Sequence, residues 1–202
     1  RGTPGHEEIE IALLRLYELT GKPEYLKMGQ AFLERRGRMP WFAPKLLRNY
    51  INNNRRVDQV EGEKAAYQAA HPDQQVPPLP PGNEAKQPPG IGLRFIWNAL
   101  SGKFFQQHQP LEKQTDPVGH AVRFAYLETA AAILERITGE PQYRPSLEAA
   151  WEHMTDRKMY LTGGIGSLPV IEGFGRDFEL DPEFAYAETC AALGSLFWNK
   201  EM

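Results

Sequence analysis

Five residues have types and spacings that suit chemistry. His6 and His120 each follow a glycine just before an apolar-periodic run, where an imidazole can donate to, or accept from, a polar ligand. Glu172 sits in a glycine-rich stretch between Ile171 and Gly173-Phe174, and apolar neighbours that strip solvent from a carboxyl raise its pKa toward the range useful for a general acid. Glu188-Thr189-Cys190 leads into an apolar helix. With Thr189 as N-cap, Glu188 and Cys190 would converge on one metal ion, the thiolate favoured by the helix dipole and by zinc. Each residue also has an ordinary explanation: a histidine bonded to a helix start, a solvated loop glutamate, a buried lone cysteine. Two ligands fall short of the three or four that a zinc site needs.

The elements that must position these residues are helical. Ile9, Leu13, Leu16 and Tyr17 recur at helical spacing until Thr20-Gly21-Lys22-Pro23, and Leu26, Ala31, Phe32 and Leu33 form a second run that stops at Gly37. Residues 5–37 therefore read as an antiparallel helical hairpin. The plan returns from Gly119 to about Lys158, with Ala125, Thr129, Ile133 and Ile137 before Thr138-Gly139-Glu140-Pro141, and Leu147, Trp151 and Met154 after it. Both hairpins open with Gly-His and turn through Thr-Gly-x-Pro-x-Tyr. Such units cannot bury their apolar faces alone, so they stack into a solenoid or a closed ring. A further helix begins near Thr189 and reaches Met202 without a cap; with no Met at the start, this suggests a fragment cut at both ends, inactive alone.

Two stretches break the pattern. Prolines crowd residues 72–90, and we read about 60–92 as a Pro-rich surface excursion, because proline removes backbone donors and the α conformation. Residues 162–177 hold five glycines, which permit close approach of the backbone to a ligand. Gly163-Gly164-x-Gly166 lacks the preceding strand and following Lys-Ser/Thr of a phosphate cradle, which argues against a nucleotide site.

Bulk properties narrow the partners. A net charge of −3 without a basic block argues against nucleic acid. No apolar run approaches the ~20 residues that span a bilayer, and one cysteine excludes an internal disulfide framework. No signal-peptide pattern is present, but with no Met at the start any targeting segment would lie upstream, so the location is unknown, with the cytoplasm slightly favoured.

The motifs taken together resemble a known family. Gly-His-Glu-Glu-Ile-Glu (5–10), Gln107-His108-x-Pro110 with Gln114-Thr115 and Val118-Gly119-His120-Ala121-Val122-Arg123, Tyr160-x-Thr162-Gly163-Gly164-Ile165-Gly166, Glu172-x-Phe174-Gly175 and Glu188-Thr189-Cys190-Ala191-Ala192 occur in the order found in glycoside hydrolase family 127, with family 146 as a relative. The match covers roughly residues 5–37 and 104–202; the Pro-rich excursion departs from it. The resemblance implies an all-α chain forming part of an (α/α)6 toroid, with 1–202 a fragment of one catalytic domain. It implies a glycosidase that releases β-L-arabinofuranosyl residues from a glycan or glycoconjugate with retention, using a zinc-bound cysteine thiolate. Glu172 then corresponds to the general acid/base, His6 and His120 to sugar contacts, and Glu188 and Cys190 to zinc ligands, while the nucleophile and another cysteine ligand lie beyond Met202. Two other readings are a sugar epimerase or isomerase on the same ring, using histidines without zinc, and a non-catalytic helical-repeat scaffold.

Overall fold

A computed structural model describes residues 3–71 and 87–202. Among the described residues there are seven α-helices: α1 (Glu8–Thr20), α2 (Pro23–Arg35), α3 (Phe42–Ala70), α4 (Ile91–Leu100), α5 (Ala121–Thr138), α6 (Arg144–Arg157) and α7 (Thr189–Glu201). Short 3-10 turns at Lys103–Phe105 and Leu111–Lys113 lie between α4 and α5. Among the described residues there is no strand, only isolated bridges, and no helix is long and apolar enough to cross a membrane. The chain divides into two compact units, one formed by Trp41–Lys86 and the other by Arg1–Pro40 with Gln87–Met202.

In the larger unit the two expected hairpins form, and their turns repeat bond for bond. Thr20 Oγ1 donates to the Leu16 carbonyl at 2.6 Å and accepts from Lys22 N at 3.4 Å. Thr138 Oγ1 donates to Leu134 O at 2.9 Å and accepts from Glu140 N at 3.3 Å. In each turn a glycine ends the first helix with left-handed backbone, φ +66° at Gly21 and +74° at Gly139, a conformation other residues reach only with strain. The shared Thr-Gly-x-Pro-x-Tyr phrase thus encodes a helix stop, a reversal and, at Pro23, a helix start.

The core forms around α5. Its residues from Leu127 to Glu135 are all buried, so the helix has no solvent face over that stretch, and α1 and α7 pack along its sides. Phe124 meets Phe174 and Trp198 edge to face, with centroids 5.3 and 5.6 Å apart. Close approach of α7 depends on Gly194, where a Cβ would stand 2.9 Å from that of Ala125.

Two sequence expectations need correction. Residues 60–70 are not an irregular excursion; they complete α3, a 29-residue helix with no buried residue. Its charged and small residues carry good helix propensity up to the first proline of the cluster, Pro72; residues 72–86, with most of the prolines, lie outside the described residues. At α7, Glu188 is the N-cap, with extended backbone (φ −66°, ψ 153°), and Thr189 is already helical.

Candidate active site

The glycine-rich loop is fastened to the first turn of α5. Phe174 N donates to Gly119 O at 2.9 Å, and Ala121 N, a helix-start donor with no intrahelical partner, is satisfied by Glu172 O at 3.0 Å. Leu168 and Gly173 exchange backbone bonds of 2.9 and 3.2 Å, closing a small hairpin that presents Glu172. Only glycine fits beside this seam: a Cβ on Gly173 would lie 1.9 Å from Gly119 O. Glu172 itself takes φ +50°, which costs an unbranched residue on the order of 1–3 kcal/mol and is held by its surroundings.

This twist changes the expected setting of the carboxyl group. Ile171 packs with Ile91 and Leu168, and Phe174 enters the main core. Their apolar faces turn inward, leaving the Glu172 side chain 45% exposed. What it meets is polar. His120 Nε2 lies 3.1 Å from Glu172 Oε2, and Tyr186 hydrogen-bonds both Glu172 and Glu188, burial and these two bonds holding its phenol protonated well above the usual range. Tyr186 reaches this position because residues 186 and 187 donate backbone bonds to Ser167 O and Gly166 O, at 3.4 and 2.9 Å.

His120 is the N-cap of α5, and its Nδ1 accepts a long 3.5 Å bond from Arg123 N. An accepting Nδ1 carries no proton, so in the neutral ring Nε2 carries it and donates to Glu172. Burial, followed by the nearby Arg123 charge, lowers the His120 pKa and favours that neutral ring; Glu172 opposes it. Ligand atoms of His120, Glu172 and Glu188 all lie within 4.8 Å of one another.

The other two sequence candidates lie differently. His6 precedes the N-cap Glu7 of α1, is exposed, and stands edge-on to Tyr126 at 5.7 Å. The two Gly-His phrases are therefore unequal: one imidazole caps a helix and the other does not. Cys190 is a free, exposed thiol in the first turn of α7. It belongs to no group of three converging metal-type ligands among the described residues. Glu188 and Cys190 offer oxygen and sulfur, both accepted by zinc, so their chemistry fits half of a tetrahedral set.

Sequence reasoning missed three contributors. Tyr186 was visible as the residue two before Glu188, which in extended chain shares its face. Arg123, at i+3 from His120, stacks on Phe104 and Phe105 at 5.5 and 5.2 Å. Behind His6, Arg36 bonds Glu7 at 2.9 Å and Glu10 at 2.6 Å, with all three side chains buried. Burial lifts the Glu7 pKa to about 7 against the pull of Arg36 and Arg123.

Known proteins resemble this chain in sequence and fold. The family model described as the beta-L-arabinofuranosidase, GH127 catalytic domain matches residues 1–202. The non-reducing end beta-L-arabinofuranosidase of Bifidobacterium longum subsp. longum is 29% identical over 201 residues, covering 100% of this chain and 25% of that protein. A crystal structure of a GH127 beta-L-arabinofuranosidase from Geobacillus stearothermophilus T6 is similar at TM-score 0.70 and 34% identity, over 100% of this chain and 25% of that one. A second GH127 beta-arabinofuranosidase structure gives TM-score 0.67 and 27% identity, over 100% and 22% of the two chains. The chain thus spans about a quarter of the length of these relatives. The helical hairpins are part of an α/α toroid, and the chain belongs to the GH127 beta-L-arabinofuranosidase catalytic-domain family.

Proposed function

We propose that this chain supplies the acid/base, sugar-contacting and part of the metal-binding machinery of a retaining glycosidase acting on terminal β-L-arabinofuranosyl residues. The observation that carries this reading is the Glu172 carboxylate, presented on a strained backbone position and held by His120 Nε2 at 3.1 Å. Protonated, Glu172 gives its proton to the departing glycosidic oxygen; as carboxylate, it takes a proton from the incoming water. His120 fixes the orientation of this carboxyl group, and Tyr186 links it to Glu188. The exposed imidazole of His6 contacts sugar hydroxyls.

Glu188 and Cys190 would hold zinc together with ligands from outside these 202 residues. When bound, the ion would supply the positive charge that keeps a cysteine sulfur deprotonated at neutral pH. The nucleophile in this reading is such a cysteine, likewise outside the chain. A second reading comes from the convergence of His120, Glu172 and Glu188: these three would themselves chelate the metal, with Glu172 as ligand rather than acid.

Leaving-group dependence tests the assignment. In the full enzyme, Glu172→Gln is expected to slow cleavage of a poor leaving group by roughly 10²–10⁴. With a nitrophenolate leaving group it should show a burst and then slow turnover, accelerated by azide, which needs no base. Unchanged cleavage of the poor leaving group would remove Glu172 from the acid/base role.

A further inference from the structure

Adjoining the Glu172 loop is a cavity of about 590 Å3 that contains none of the five residues considered so far. Gly119 and Phe174, of the backbone seam beside Glu172 and His120, form part of its wall, so the cavity borders the elements that position Glu172. Opposite the seam stands α4, carrying Trp97 with its indole 67% exposed. This platform is rigidly held. Arg94 makes a two-pronged ion pair with Glu179 at 2.6 and 2.8 Å, Ile91 packs with Leu168 and Ile171, and Phe95 meets Phe104 edge-on at 5.4 Å.

The charges around the cavity do not cancel. Arg94 is spent on Glu179, and the Lys158 ammonium is held by Asp116 Oδ1 at 2.7 Å and Pro117 O at 2.9 Å. Asp177 is held by His153 at 2.8 Å and Arg157 at 3.1 Å. Lys103 and Arg176 also line the cavity; among the described residues neither the Lys103 ammonium nor the Arg176 guanidinium is within ion-pair distance of a carboxylate, although the Arg176 charge lies near enough to Glu179 to help hold its pKa down. An exposed aromatic face takes up the apolar C–H face of a ring, and uncommitted cations bind a carboxylate. Neutral sugars would use the first feature alone. A simple anion would use only the second.

We propose that this cavity is a subsite for a uronate, a sugar ring bearing a carboxylate, stacked on Trp97 with its charge toward Lys103 and Arg176. It rests on the glycosidase reading in placing that ring on the leaving-group side of the bond cleaved at Glu172. The test is calorimetric titration of the full enzyme with a hexuronate disaccharide, the matching neutral disaccharide, and acetate. Uronate binding should exceed neutral binding several-fold, and Trp97→Ala should weaken it about tenfold, the scale of one aromatic contact. Lys103→Met with Arg176→Gln should abolish the preference for the acidic sugar while leaving the neutral one unaffected. Equal affinity for the two sugars, competition by acetate at equal concentration, or indifference to Trp97→Ala would each overturn the proposal. All are read without turnover, so an enzyme that cleaves no arabinofuranoside but prefers uronate defeats only the glycosidase reading.

Discussion

Two clusters at the same end of the α5–α6 hairpin have the same composition and opposite character. Each joins one histidine to two carboxylates with ligand atoms within 4.8 Å: His120 with Glu172 and Glu188, and His153 with Asp116 and Asp177. The second contains its own cation. Lys158, 5% exposed, bonds Asp116 and lies 3.6 Å from Asp177, which Arg157 also pairs. The first contains none: among the described residues its carboxylates meet only an imidazole and the Tyr186 phenol. Charge neutralised from within is structural, because nothing remains to attract a ligand. Two carboxylates held by neutral donors at a strained backbone position are groups kept available for a substrate or an ion.

The largest expected effect contrasts the two clusters in activity. Glu172→Gln should lower turnover of a poor leaving group by roughly 10²–10⁴, whereas Asp177→Asn should change it less than about threefold. A large loss in Asp177→Asn with an unaltered melting curve would break the comparison. A comparable loss is expected from Gly173→Ala, since the added methyl would collide with Gly119 O and detach the loop from α5. Restored activity in that variant would show that the seam does not position Glu172.

Zinc affinity sharpens the difference. In the full enzyme, Cys190→Ser should weaken zinc by about 10–100-fold, and Asp116→Asn should leave it unchanged, because the Lys158 ammonium already stands where a cation would. Weaker zinc in Glu172→Gln, with normal affinity in Cys190→Ser, would favour chelation by His120, Glu172 and Glu188. For stability the ranking reverses. Lys158→Met should cost about 1–2 kcal/mol in denaturant unfolding, a modest figure because Asp116 is half exposed and water replaces much of the lost pairing.

Much of this was legible in the sequence, for physical reasons that can be named. The hairpins were readable because helical spacing and the Thr-Gly-x-Pro turn act locally; each turn is stabilised by residues two to four apart. The glycine-rich loop was readable as a site for close approach, but not its partner, since the Gly173–Gly119 contact joins residues far apart in the chain. Flanking residues misled at Glu172: a left-handed backbone sends Ile171 and Phe174 into the core and the carboxyl group outward. Long-range convergence also added a second set of metal candidates: adjacency suggested Glu188 with Cys190, and folding in addition brings Glu188 near Glu172 and His120. The charged segment after Val60 read as part of the excursion because prolines follow it, and it is helix up to Ala70.

The smallest effect concerns a carboxylate that has neither cation nor ligand. Glu128, in the middle of α5, is fully buried, and neither oxygen finds a hydrogen-bond partner. If a missing cation alone marked function, Glu128 would qualify; its lack of any solvent path makes it an uncharged core residue instead. Burial raises its pKa well above the usual carboxylate value. A carboxyl group with a raised folded pKa contributes most to stability below its unfolded pKa and loses that contribution as pH rises toward the folded pKa. Glu128→Gln keeps the shape and removes the titration. The variant should match the parent chain in unfolding free energy near pH 4 and become more stable than it by on the order of 1 kcal/mol by about pH 5.5, one unit above the usual carboxylate pKa, since each pH unit between the two pKa values is worth about 1.4 kcal/mol. Activity should not change. A stability difference independent of pH would mean that Glu128 is ionised in the fold, with a partner cation that these helices do not provide.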